Sequence, residues 1–237
     1  SRFWPESRMG YPKQFIDILG SGKTLIQSTY DRFAKFIPQE NIFVATNDQY
    51  LDLVKEQLPG ITAKQVITEP VMRNTAPCIA YAMYKIRQIN PDAAVVVAPS
   101  DHLILEENIF KEVIINSLHT ASTEDCLITL GIKPSRPDTG YGYIQYTTKA
   151  LNECLFKVKT FTEKPDLEIA KSFIQSGDFL WNAGIFVWSV KNILHAFALH
   201  LPEMNQIFKE GMGAYNGPKE REFIQTAYYQ CTNISID

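Results

Sequence analysis

The sequence predicts an α/β fold with an open, mostly parallel sheet, and three observations carry that prediction. Apolar residues recur at helical spacing in blocks, short extended apolar runs separate the blocks, and the connections through residue 130 are long enough for crossovers. Leu25, Ile26, Thr29, Phe33, Phe36 and Ile37 fall at three- and four-residue steps and form one apolar helical face. NIFVAT, residues 41–46, follows as a short buried strand, and Asn47 caps a helix that runs to Leu58 before Pro59 and Gly60 end it. QVITEP supplies a second strand up to Thr68, and Ile79, Ala80, Met83, Tyr84 and Arg87 mark the next helix. AAVVVAP, residues 93–99, is apolar on both faces, as a central parallel strand covered by helices must be. Ile109, Phe110, Val113, Ile114 and Leu118 give another helix, and CLITL, residues 126–130, another strand.

After Gly131 the rhythm changes. GYIQY and LFKVKTF read as a small antiparallel insertion, Asp166 to Gln175 as a helix, and LWNAGIFVWS as a buried strand interrupted near its start by Asn182 and Gly184. Ser189 to Leu199, Pro202 to Lys209 and Pro218 to Tyr228 read as helices. The whole is a Rossmann-like arrangement in one domain, 1–237, since no repeat or flexible linker divides it.

Composition narrows the function classes. The 237 residues are 45% hydrophobic and 21% charged, which suits one large packed domain and not a disordered tail. A formal charge of −3 offers no global field for gripping nucleic acid. Cys78, Cys126, Cys154 and Cys231 form no C-x-x-C pair, so neither a zinc knuckle nor a disulfide framework is indicated, and buried free thiols are the plain reading. No run of about 18 apolar residues is present, and the start lacks the basic and apolar regions of a signal peptide. A cytoplasmic protein with no membrane partner is the expectation.

Ligands of open α/β sheets bind beyond the carboxyl ends of the strands. VVVAPSDHLI puts Asp101 just past the strongest strand, where its carboxylate either holds a divalent cation or caps the turn. Its neighbour His102 reads as a half-buried hydrogen-bonded side chain, with no other histidine at metal-ligand spacing. Residues 1–23 carry Arg2, Arg8, Lys13 and Lys23 against Glu6 and Asp17, with Pro5 and Pro12 stiffening the backbone, a setting suited to phosphate oxygens. Arg8 by itself is a solvated surface residue. Cations are also in excess between Gly131 and Lys164, which ordinary strand surface would equally explain. Gly140 and Gly142 around Tyr141 either let a ligand approach the backbone or form a hairpin bulge. Glu163 beside Lys164 pairs a hydroxyl acceptor with a phosphate donor, or else is a surface ion pair. Asn182 is an amide in otherwise buried text and must be paired by protein or ligand. Trp181 and Trp188 read as core.

Taken in order, SRFWP, YPKQF, RNTAPCIA from Arg73, APSDHLI from Ala98, GIKPSRPDTGYGYI from Gly131, FTEKP from Phe161, LWNAGIFVW from Leu180 and NISID at the end cover almost the whole chain. This combination resembles the sugar nucleotidyltransferase family, and within it the mannose-1-phosphate guanylyltransferase branch. The resemblance implies a fold of the nucleotide-diphospho-sugar transferase type, with a nucleotide-binding part at 1–130 and a sugar-phosphate-binding part at 131–237. Members open with a strand and a glycine loop of which only Ser1, Arg2, Phe3 and Pro5 stand here, and they continue past NISID. The first strand is thus expected ahead of Ser1, and the 237 residues are read as truncated at both ends and not active by themselves.

The implied reaction is transfer of GMP from GTP to α-D-mannose 1-phosphate, with Mg²⁺ as cofactor, Mn²⁺ as its alternative, and a homodimer as the assembly. The resemblance implies that Ser1 and Arg2 bind the nucleotide, that Arg2 and Lys13 stabilise the triphosphate charge, and that Asp101 holds the metal. Glu69, Asn74, Thr75 and Ala76 would line the guanine pocket. Gly140, Tyr141, Glu163, Lys164, Asn182 and Asp237 would surround the sugar phosphate. A sister enzyme using glucose 1-phosphate with UTP or dTTP, and a non-catalytic regulatory relative, are the alternatives. The latter would lack the Arg, Lys or Asp retained here as Arg2, Lys13 and Asp101. A metal-dependent glycosyltransferase would show two acids where PSDH has one.

Overall fold

The computed structural model describes residues 6–150 and 155–237. Helix α1, Leu25–Ala34, starts in a capping box: Thr24 accepts from the Gln27 amide, and the Gln27 side chain accepts from the Thr24 amide. Strand β1, Val44–Asn47, lies parallel to β2, Val66–Glu69. Asn47 caps a 3₁₀ turn at Asp48–Tyr50 that leads into α2, Leu51–Gln57. Helix α3 spans Thr75–Ile89, β3 Ala94–Val97, α4 Glu107–Thr123 and β4 Leu127–Ile132. The hairpin of β5, Tyr143–Ala150, and β6, Phe156–Thr162, precedes α5, Leu167–Ser176, which Asp166 caps and Gly177 ends at φ 76°. Strand β7, Phe179–Ser189, then leads into α6, Val190–His200, α7, Pro202–Glu210, and α8, Glu220–Gln230.

The expectation of a mostly parallel sheet is overturned. Among the described residues only β1 and β2 pair in parallel; the larger sheet of five strands is antiparallel throughout, ordered β3-β7-β5-β6 with β4 also against β7. Its organiser is β7. One edge takes β3, from Ala94 opposite Ser189 to Val97 opposite Phe186, and then β5; the other takes β4. The apolar text of β3 reflects helices on both faces and says nothing about the direction of its neighbour. Val95 and Val97 pack against the core built by α3, α6, α7 and α8, while Val96 and Ala98 pack against the core under α4. Nor is β3 central: among the described residues it lies at one end of the strand order and is only half-buried.

The larger core holds Tyr84, Val190, Phe208 and Tyr228, each almost wholly buried and contributing about 2 kcal/mol by burial. Trp181 and Trp188 are core residues, as read. Cys78, Cys126 and Cys231 are free thiols; Cys154 lies outside the described residues. Among the described residues no helix is long and apolar enough to cross a membrane.

Candidate functional site

Beyond β3 the chain runs through Pro99 and Ser100 to Asp101, whose carboxylate receives Lys13 Nζ at 2.5 Å. Lys13 opens a 3₁₀ turn after Pro12, and Phe15, 1% exposed, pins that turn in the core with Ile26, Tyr50 and Val54. Gln57 reinforces it by donating to the Phe15 carbonyl at 2.9 Å. Two residues 88 apart in sequence thus form one charged pair, with Lys13 half-exposed and Asp101 mostly covered. His102 is half-buried, and desolvation holds its imidazole below the ordinary range, with Asp101 opposing that shift.

Strand β7 brings Asn182 to the same end of the sheet. The β4 ladder shifts register between Thr129 and Gly131, and Gly184 takes φ 64° there, a conformation that would strain another residue. The Gly184 amide is thereby aimed at Asn182 Oδ1, at 2.9 Å, and Pro99 lies against Gly184. Asn182 Oδ1 also accepts from Thr129, and Asn182 Nδ2 donates to Asp237 Oδ1 at 2.8 Å. The protein itself pairs this amide.

Asp237 is tied in turn to the start of α3. Ser235 donates to Asp237 Oδ2 at 2.7 Å, the Ser235 and Thr75 hydroxyls are 3.2 Å apart, and the Ile236 amide donates to Thr75 Oγ1 at 2.9 Å. Asn74, at φ 67°, caps α3 through the Thr75 amide, while Ala76 faces the core and gives its amide to the Ile234 carbonyl. A continuous path therefore joins Asn74 and Thr75 through Ser235 and Asp237 to Asn182.

Across the site, any side chain at Gly142 would collide with the Glu163 carboxylate, so the close approach there is to Glu163. The Asn182 backbone N–H donates to the Gly142 carbonyl at 2.8 Å. Glu163 and Lys164 are 3.6 Å apart and both exposed, with Lys164 at φ 41°. Tyr141 lies with its ring centroid 5.0 Å from that of Trp181, and Gly140 donates its amide to Asp138 at 2.9 Å. Ser1 and Arg2 lie outside the described residues. Arg8 is exposed, and Lys159 pairs with Asp178, so much of the cation excess is strand surface.

Glu69 ends β2 and accepts from the Tyr228 hydroxyl at 3.0 Å. Burial pushes its carboxyl up to about 7 from 4.5, while hydrogen bonds from Tyr228 and Cys78 oppose the rise. The folded state then favours the protonated form. Its contribution to stability is full below the unfolded value and is lost as pH rises through about 7. Glu69→Gln, neutral at every pH, is therefore expected to melt with the wild type near pH 5 and above it at pH 8, by about 2 kcal/mol or ~5 °C. Superimposable melting curves at pH 8 would refute a desolvated carboxylate.

Sequence reasoning missed Tyr228 and Cys78 behind Glu69, and Arg32 behind the Asp101 loop. The one available signal was Arg32, a charged residue set among the apolar positions of α1.

The family model described as nucleotidyl transferase matches residues 1–226. A mannose-1-phosphate guanylyltransferase of Salmonella muenchen is 35% identical over 244 residues, covering 100% of this chain and 50% of the relative. One from Escherichia coli K12 is 34% identical over 247 residues, covering 100% and 51%. The chain thus spans about half the length of these curated relatives. Among solved structures, a Thermus thermophilus protein described as a mannose-1-phosphate geranyltransferase is 27% identical with a TM-score of 0.87, covering 100% of this chain and 66% of that one. A Helicobacter pylori protein described as a mannose-6-phosphate isomerase is 25% identical with a TM-score of 0.77, covering 96% and 87%. With a family match over nearly its whole length, the chain belongs to the nucleotidyl transferase family.

Proposed function

We propose that this chain is the nucleotidyl-transferring part of an enzyme that moves GMP from GTP to α-D-mannose 1-phosphate, giving GDP-mannose and pyrophosphate. The observation that carries this reading is the meeting of Lys13 and Asp101 beside the Asn182–Asp237 path, in a chain whose relatives include mannose-1-phosphate guanylyltransferases. A phosphate oxygen of the sugar phosphate forms the new bond to the α-phosphorus while the bond to the pyrophosphate oxygen breaks. The attacking phosphate is largely dianionic at neutral pH, its second pKa being about 6, so no dedicated base is required. The barrier is the approach of like charges, and Lys13 lowers it by standing where that charge collects.

Asp101 is the residue that would hold Mg²⁺, or Mn²⁺ in its place. Among the described residues no three His, Cys, Asp or Glu side chains gather into a metal cluster. That fits a cation which takes one or two carboxylates and completes its shell with water and substrate phosphates. Such a cation neutralises phosphate charge when bound. Glu163 accepts from the sugar hydroxyls and Lys164 meets the sugar phosphate, with Asn182 and Asp237 closing the other side. Glu163→Gln is expected to raise KM for mannose 1-phosphate about tenfold with KM for GTP unchanged, as measured by pyrophosphate release; an unchanged sugar-phosphate KM would remove Glu163 from the pocket.

The proposal is tested with the full-length protein and a panel of GTP, ATP, UTP and dTTP against mannose and glucose 1-phosphates. Pyrophosphate release with GTP and mannose 1-phosphate is expected to exceed every other pair. Release confined to glucose 1-phosphate with UTP or dTTP would overturn it.

A further inference from the structure

Two side chains one turn apart on α1 reach the loop that carries Asp101. Thr29 Oγ1 donates to the Ser100 carbonyl at 3.2 Å, and Arg32 Nη2 donates to the His102 carbonyl at 3.4 Å. The two carbonyls belong to the residues on either side of Asp101. Both donors are deep: Thr29 is 8% exposed and Arg32 only 4%. A guanidinium so placed is costly without a counter-charge. Glu107, in the first turn of α4, supplies one at 3.4 Å from Arg32 Nε and is itself paired with Lys35. The Phe110 ring centroid lies 6.0 Å from Arg32 Cζ, and Phe33 packs edge-on against the same ring. The loop between β3 and α4 is therefore held at Ser100 and His102 by one helix. Without that grip, Asp101 would be held through its side chain by a partly exposed ion pair, an interaction too weak to fix a carboxylate.

We infer that Thr29 and Arg32 are positioning residues for Asp101, holding the backbone on both sides of it so that its carboxylate is presented, with Lys13, to the phosphates and their cation. The inference rests on the reading of Asp101 given under the proposed function. The two residues act through backbone carbonyls, at separations of 71 and 70 residues.

The test uses the full-length protein with Thr29→Val, which removes one hydroxyl at nearly constant shape, Arg32→Lys, which keeps charge but loses the fork, and Asp101→Asn. Ile114→Val, in the core under α4, serves as a packing control. Two quantities are read: amide hydrogen exchange of residues 98–106 without divalent cation or substrate, and the Mg²⁺ concentration giving half-maximal pyrophosphate release. Thr29→Val and Arg32→Lys are expected to speed exchange across 98–106 and to raise the Mg²⁺ midpoint about tenfold, the usual scale for residues that orient a metal ligand. Ile114→Val should lower the melting temperature and move neither quantity.

A wild-type Mg²⁺ midpoint in both α1 variants, with or without faster exchange, overturns the positioning role while an inactive Asp101→Asn leaves the reading of Asp101 standing. Wild-type turnover and Mg²⁺ dependence in Asp101→Asn would instead refute that reading, and this inference with it.

Discussion

Asp101→Asn is expected to lower kcat by about a hundredfold in the full-length protein, and Lys13→Met by at least about tenfold, with melting temperatures close to wild type. The physical basis is one charged pair doing two jobs. In the free protein Lys13 and Asp101 neutralise each other at 2.5 Å. On the proposed function, nucleotide binding would draw the ammonium to the phosphate anions and the carboxylate to a cation among them, so that each charge would act on the transferring group. Asparagine keeps the shape of Asp101 and one acceptor oxygen but loses the negative charge that a hard cation needs. Methionine keeps the stem of Lys13 and loses the cation. Because the pair is partly exposed, removing either member costs little stability. Since the two act on one centre, the double variant should fall well short of the product of the single effects. Pyrophosphate release under saturating substrate measures all three. Full activity in either purified single variant would overturn its assignment.

The legible and illegible parts of this protein divide along a physical line. Helices α3, α6, α7 and α8 were readable because their apolar faces repeat at helical spacing, a property local to each segment. The place of Asp101 beyond β3 was readable because a carboxylate one short step past a strand is a local pattern. Strand direction was not. Val95 and Val97 would be as apolar beside a parallel neighbour as beside antiparallel β7, since the helices above and below set their burial. The pairing of β3 with a strand about ninety residues later is a long-range choice that no window on the chain contains. The site divides in the same way. Asn182 signalled itself as an amide in apolar text, but its partners, Asp237, Thr129 and Gly184, come from three places, one of them reached only through the positive φ at 184. Thr29 read as one more residue of a greasy face, whereas its hydroxyl is spent on Ser100.

Lys85→Met is expected to cost about 3 kcal/mol, lowering the melting temperature by ~10 °C. Lys85 is 5% exposed, on α3, and its ammonium meets both carboxylate oxygens of Glu220, on α8, at 2.6 and 2.7 Å. The same carboxylate accepts from the Tyr81 hydroxyl and, at 2.6 Å, from the Asn216 amide, so its lone pairs are filled on every side. Removing the lysine leaves a largely covered anion with two neutral donors and without its lysine counter-charge, a worse state than having neither charge. Lys85→Met with Glu220→Leu should therefore recover most of the loss. A double variant no more stable than Lys85→Met would show that packing, and not the stranded charge, carries the effect. The consequence reaches the site. Helix α3 begins at the Asn74 cap about 15 Å along its axis from Lys85, and α8 leads into the segment whose Asp237 binds Asn182. The ion pair ties these two helices together, and the terminal residues that cross the start of α3 follow directly from α8. Accordingly, the double variant, stable again but without the clamp, is expected to show faster amide exchange at residues 232–237 than the wild type; unchanged exchange there would confine the pair to a purely local role.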